Sequence, residues 1–306
     1  MKYLVLILKG IAMGAANIIP GVSGGTIALI TQVFERLINA IKSINFTALR
    51  FLLKGKFGDF ARYIDLYFLL AIFFGVVIAI LTLARLFDYL FTNYPVYIWA
   101  YFFGLVLASV YFVGKRIEKL TTSVAVTFII GTAIAIIISV LNPATENHSF
   151  YYLVLCGIVA ICSMILPGLS GSFVLFIMGN YKLVAIDAIN DRDFSILLPV
   201  LIGAVVGLIA FSHFLSWVFR KYRNETISIL TGFILGSVSI LWPWQRKEYL
   251  EIAGQVVIKD GEPVIARYIR YLPQEINPEF WYAIAIILAG IASIWAIEKL
   301  AEKKSS

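Results

Sequence analysis

The sequence predicts an all-α polytopic membrane protein arranged as an inverted repeat, each half a re-entrant helical hairpin followed by three transmembrane helices. Three observations carry that expectation. The 306 residues are 61% apolar and 14% charged, whereas a soluble domain carries roughly 25% charged residues. Apolar runs of about 20 residues recur, the length needed to cross a hydrocarbon core of roughly 30 Å. The segment around Pro20 also returns, little changed, around Pro167. Helices are the expected spanning element because the runs are continuously apolar and lack the alternation of barrel strands. No stretch suffices for a separate soluble domain, so one membrane domain is expected.

The first element is a hairpin over 4–41. Lys2, the apolar run after it and Ala15-Ala16 together look like a signal peptide, but the later copy of the same segment argues for a structural part. Leu8 to Ile30 reads LKGIAMGAANIIPGVSGGTIALI, and Leu155 to Ile177 reads LCGIVAICSMILPGLSGSFVLFI. At a constant offset of 147, Gly10 meets Gly157, Pro20 meets Pro167, Gly21 meets Gly168, Ser23 meets Ser170 and Gly24 meets Gly171. The arms 4–19 and 22–34 are short for full crossings and Pro-Gly separates them. Each unit therefore reads as a pair of half-helices that dips in and leaves on the same side. Irregular backbone at that depth persists only where protein or a wet cavity covers it.

Three spans follow, at 66–91, 95–113 and 122–141, completing a first repeat over 1–141. The second repeat, 151–298, has its hairpin at 151–186 and spans at 196–219, 225–243 and 279–298. A second block aligns at offset 128: Gly75 with Gly203, Tyr94 with Tyr222, Gly104 with Gly232, Ser109 with Ser237. Lys and Arg concentrate in the connector 42–62, in 114–120, in 220–223 and at the C-terminus, and are absent from 92–95 and 142–150. The positive-inside rule then places both termini in the cytoplasm of a multi-pass inner-membrane protein. Three crossings per repeat is an odd number, so the second copy is upside down. Loop 244–278 mixes acidic with basic residues and is expected outside, with a β-hairpin around Asp260-Gly261. Inverted repeats with broken helices are the signature of secondary transporters.

Charge excludes less than it first suggests. The net +7 would point to nucleic acid in a soluble protein. Here it reports cytoplasmic loops, and no nucleic-acid partner is expected. Cys156 and Cys162 fit neither a redox pair nor a zinc site, so neither a metal nor a cofactor is expected.

Candidate site residues come from the repeated motif and from polar groups inside spans. Ser23 and Ser170 suit the N-cap of a half-helix. Unpaired N–H groups of Gly24, Gly25 and Thr26, and of Gly171 and Ser172, would then face the midplane. Two positive helix ends so placed suit an anion, although Gly and Ser also permit nothing more than tight packing. Arg85 lies within a span, where a central Arg costs roughly 2.5–3.5 kcal/mol and usually faces a cavity. At offset 128 it meets His213, which could titrate during transport. The plainer alternative for Arg85 is a pair with Asp88 or snorkelling outward. Asn17, ahead of Pro20, is a further candidate, and Asn180, Tyr181 and Lys9 are weaker ones.

GAANIIPGVSGGTIALI and ILPGLSGSFVLFIMGNY together resemble the PopT-type polyprenyl-phosphate transporters, formerly grouped as a domain of unknown function, over essentially the whole chain. The resemblance implies a protein that is not an enzyme. It would be a flippase returning undecaprenyl phosphate, or a similar polyprenyl phosphate lipid, from the outer to the cytoplasmic leaflet for peptidoglycan and other envelope polymers. The motif residues Pro20 to Thr26 and Pro167 to Ser172 carry the likeness. The copies end differently, Gly25-Thr26 against Ser172-Phe173, so their roles need not be equal. Inward movement of an anion against an inside-negative potential is opposed by roughly 2.3 kcal/mol per charge per 100 mV. That cost suggests a coupling ion, H⁺ or Na⁺. The rival classes are a membrane lipid-phosphate phosphatase and a transporter of a small soluble anion. The first needs a nucleophile or a carboxylate-rich metal site that the spans do not offer.

Overall fold

The structure is a computed structural model that describes residues 2–18, 23–141, 143–249 and 276–302, together with 251–252, 255–256, 258–259, 262–263 and 265–273. Helices α1 (Lys2–Ile18) and α2 (Gly24–Ile30) pack side by side. The turn joining them, with Pro20 and Gly21, lies outside the described residues. α3 (Phe34–Lys42) follows, and the expected connector is itself helical, holding α4 (Phe46–Leu53) and α5 (Phe57–Tyr63). Asn45 starts α4 by accepting from the N–H of Thr47 at 2.9 Å and of Ala48 at 3.3 Å, the usual N-cap chemistry.

The first three spans are α6 (Leu66–Asn93), α7 (Pro95–Gly114) and α8 (Thr122–Val140). Pro95 opens α7, where its missing N–H costs nothing. In the second half, α9 (Phe150–Ile165) and α10 (Gly171–Ile177) flank the second Pro-Gly turn, and a π-helical turn, Leu183–Asp187, runs into α11 (Ala188–Asn190). The remaining helices are α12 (Phe194–Lys221), α13 (Arg223–Val238) and α14 (Pro278–Glu302). Among the described residues six helices are long and apolar enough to cross a membrane, matching the six expected spans. α13 gives way to a 3₁₀ turn, Ser239–Leu241, short of the expected 243, because Pro243 cannot extend a helix.

The loop after α13 is a β ribbon. β1 (Gln245–Tyr249) pairs antiparallel with β6 (Ile265–Arg270), and inside it β2 (Glu251–Ile252) pairs with β3 (Gln255–Val256). β4 (Ile258–Lys259) pairs with β5 (Glu262–Pro263) across the expected turn, although Asp260 and Gly261 lie outside the described residues. Trp244 stacks on Phe280 at 5.5 Å and so ties the ribbon to α14.

Helix packing recurs between the halves. α1 packs along α6 as α9 packs along α12, and α7 along α14 as α13 along α8, with α7 and α13 meeting at the centre. Glycines set the close approaches, as small residues do where lipid removes the hydrophobic drive between helices. A Cβ on Gly10 would strike the carbonyl oxygen of Ile72, and one on Gly75 that of Ile7. Gly157 and Gly203 stand in the same relation to Val200 and Val154. These residues are themselves partners at offsets 128 and 147. Likewise Gly104 meets Ile287 as Gly232 meets Phe128, and Gly131 meets Ile229 as Gly290 meets Tyr101. This last set reveals a third offset, 159, between α8 and α14. The core centres on α2, every residue of which is buried, while large apolar side chains such as Leu81, Ile129 and Leu201 cover the outside.

Candidate functional site

In the first copy the described residues Ser23 to Thr26 are closed by local hydrogen bonds. Ser23 is 2% exposed and caps α2, its Oγ accepting from the Gly25 N–H at 3.1 Å. Asn17 Oδ1 accepts from the Gly24 N–H at 2.7 Å, and the Ser23 carbonyl from the Thr26 N–H at 2.9 Å. The unpaired amide protons expected at Gly24, Gly25 and Thr26 are therefore not there. The side chains of Asn17 and Ser23 satisfy the first two, as N-cap residues do, and the Ser23 carbonyl satisfies the third.

The second motif is looser. Ser170 occupies the N-cap position of α10 but makes no capping bond, and its Oγ lies 2.8 Å from that of Ser172. Ser172 is exposed and Ser170 half-buried. No acceptor among the described residues takes the N–H of Gly171 or Ser172. Gly168 turns the chain at φ +80°, a left-handed conformation that glycine adopts without a steric penalty.

The start of α2 touches the second turn. Ser23 Oγ donates to the Leu166 carbonyl at 3.1 Å, and the Gly168 N–H donates to Thr26 Oγ1 at 3.1 Å. Gly25 packs so tightly here that a Cβ would lie 2.7 Å from the Ile165 carbonyl oxygen. The open space expected between two facing helix ends is thus filled by direct contact between the motifs.

The far end of α2 carries a charged cluster that sequence reasoning missed. Arg116, just beyond α7, donates to the carbonyls of Leu29 at 2.5 Å and Ile30 at 2.7 Å. Its guanidinium also pairs with Glu298 of α14 at 3.2 Å, and Glu298 is 8% exposed. Lys9 reaches the Thr31 carbonyl at 2.6 Å. Cations at a helix C-terminus satisfy its last carbonyls and oppose its dipole. In the sequence Arg116 looks like an ordinary loop charge and Glu298 like the end of a span. The only available signal was a carboxylate just inside an apolar run.

Arg85 and His213 are not gathered with the motifs. Both are exposed, on α6 and α12, and His213 Nδ1 sits 2.8 Å from the Ile209 carbonyl of its own helix. Among the described residues Arg85 has no ion-pair partner, and the side chain of Asp88 lies outside them. Asn180 is fully buried and is structural. Its amide clasps Asn147 through two bonds, 2.7 and 2.9 Å, holding the 143–149 loop over α10.

Comparison with known proteins now bears on this arrangement. A polyprenyl-phosphate transporter of Vibrio cholerae serotype O1 is 40% identical over 310 aligned residues, 99% of this chain and 98% of the relative. A polyprenyl-phosphate transporter of Staphylococcus aureus is 31% identical over 257 residues, 78% of this chain and 85% of the relative. No solved structure matches. Residues 13–256 match a family described as undecaprenyl phosphate translocase-like, and the chain belongs to that family.

Proposed function

We propose that this chain is a flippase that returns undecaprenyl phosphate, or a similar polyprenyl phosphate, from the outer to the cytoplasmic leaflet of an inner membrane. The observation that carries the reading is 40% identity, across 99% of this chain, to a protein named polyprenyl-phosphate transporter. The recurring helix packing supports two halves inverted about an axis in the membrane plane, and the Lys and Arg of 42–62, 114–120 and 220–223 support cytoplasmic termini; both hairpins are re-entrant in this reading. The lipid tail stays in the bilayer along the exposed apolar helices while the phosphate passes the paired turns by alternating access.

In this scheme the contact between the turns is the barrier. Ser170, Gly171 and Ser172 offer hydroxyl and amide donors to the headgroup on the accessible side. The Ser23 and Thr26 hydroxyls become available once the Leu166 and Gly168 bonds part, and Asn17, Gly24 and Gly25 follow where the headgroup displaces the local caps. Arg85 has a recruiting role. α6, with 28 residues, is about 42 Å long at 1.5 Å per residue, about 12 Å more than the hydrocarbon core. Arg85 stands eight residues from its end, which places it only about 6 Å inside the hydrocarbon if the excess is shared equally. From there its long side chain reaches the headgroup layer. His213 in the other half is proposed to line the path of the headgroup, and H⁺ or Na⁺ offsets the membrane potential, about 2.3 kcal/mol per charge per 100 mV.

Proteoliposomes carrying labelled polyprenyl phosphate in one leaflet test the reading. Protein-dependent leaflet exchange is expected, without phosphate release. Uptake of a soluble anion with no lipid exchange would overturn it. Arg85→Ala is expected to slow exchange at least tenfold while the protein stays folded, and full activity in that variant would remove Arg85 from the mechanism.

A further inference from the structure

A second polar site lies away from both motifs, where α3 of the first half packs on α12 of the second. Between them and the start of α13 is a cavity of about 180 Å³. Liquid water occupies about 30 Å³ per molecule, so the space exceeds what a phosphate group requires. Its floor is built. Ser216, 3% exposed, donates to Asn39 Oδ1 at 2.9 Å and accepts from Lys42 Nζ at 3.3 Å. With Oδ1 so used, the Asn39 amide N–H₂ has no acceptor among the described residues.

The charge at this cavity is unbalanced. Glu35 is held by Arg223, with contacts at 3.0 and 3.2 Å, and is neutralised by it. Arg220 also lines the cavity, and among the described residues neither it nor Lys42 meets a carboxylate. A guanidinium and an amide donor line one space, with an ammonium behind its Ser216 floor, the donor types that phosphate oxygens favour. Ile38 and Phe219 supply an apolar wall, suited to the first carbons of an attached chain.

We infer that this cavity binds a phosphate monoester, and that in the transport reading, on which its orientation rests, it holds the lipid headgroup at the face carrying the basic loops. Arg220 and the Asn39 amide grip the phosphate oxygens. Lys42 adds positive charge through the Ser216 floor. Glu35 restrains Arg223 and thereby weakens the site.

The rate at which the native Lys42 amine, which donates to the Ser216 floor, is labelled by an amine-reactive ester in the full chain in nanodiscs, read by peptide mass spectrometry, reports occupancy. Farnesyl phosphate is expected to slow labelling at least tenfold, and farnesol to leave it unchanged. Arg220→Gln is expected to raise the half-protecting concentration at least tenfold. Glu35→Gln is expected to lower it severalfold, because Arg223 is released. Loss of fold cannot mimic that opposite pair of shifts. Protection by inorganic phosphate at the same concentration would make the ligand free phosphate and overturn the lipid assignment. Protection by farnesyl phosphate alone supports the lipid. No protection by either phosphate, equal protection by farnesol, or shifts of one sign in both variants would overturn the site. Leaflet exchange on the same proteins separates the two readings. Exchange without protection sinks the cavity and leaves transport standing, whereas protection without exchange does the reverse.

Discussion

The two Pro-Gly-x-Ser-Gly hairpins share a motif and an offset but not an environment. All seven residues of α2 are buried, whereas in α10 only Gly171, Val174 and Leu175 are. α2 ends on the cations Arg116 and Lys9. α10 ends on neutral donors, the Ala144 N–H to Ile177 at 2.8 Å and the Tyr152 hydroxyl to Met178 at 2.8 Å. Beyond the hairpins, α3 crosses to pack on α12 of the other half, while its counterpart, the π-turn with α11, stays against α12 of its own half. Duplicated sequence has produced one locked unit and one open unit. In the proposed cycle this is a carrier shut on the α2 side and accessible on the α10 side, and transport would exchange the two environments.

The comparison can be broken most directly at the helix ends. Arg116→Ala leaves Glu298 buried without its partner and two carbonyls uncapped, and is expected to cost about 3–5 kcal/mol. Tyr152→Phe removes one neutral bond from the other hairpin, at about 1 kcal/mol. Thermal unfolding of both variants in detergent checks the ranking, and equal losses would mean that α2 is not the locked unit. A finer contrast lies at the caps. Ser23→Ala deletes the cap and the link to Leu166, and is expected to cost about 1 kcal/mol. Ser170→Ala, with no capping bond to lose, is expected to stay within about 0.5 kcal/mol of the parent while slowing leaflet exchange severalfold. Comparable destabilisation by both would erase the difference between the tips.

Legibility followed the range of the interactions. The six spans could be read from apolar run length and the Ser23 cap from local chemistry alone, whereas the early stop of α13 ahead of Pro243 was not read. The repeat was visible in the hairpins because Pro, Gly and Ser stand out against apolar residues. It was invisible between α8 and α14, where Gly131 and Gly290 are the markers and the residues around them are interchangeable aliphatics. Free amides at the first tip were expected because a sequence shows which donors a helix start leaves over, but not that Asn17 would take the Gly24 amide beside the Ser23 cap.

By itself the sequence determined the all-helical membrane class, the duplication and the motif that carries the family resemblance, since all three follow from residue type and spacing along one chain. Only the tertiary structure decided that the two motifs would touch, that Arg116 and Glu298 would meet across 182 positions at the end of α2, and that one copy would be sealed while the other stayed open. Those outcomes depend on which faces of distant helices are brought together, and near-identical hairpins acquire different partners because the helices around them differ.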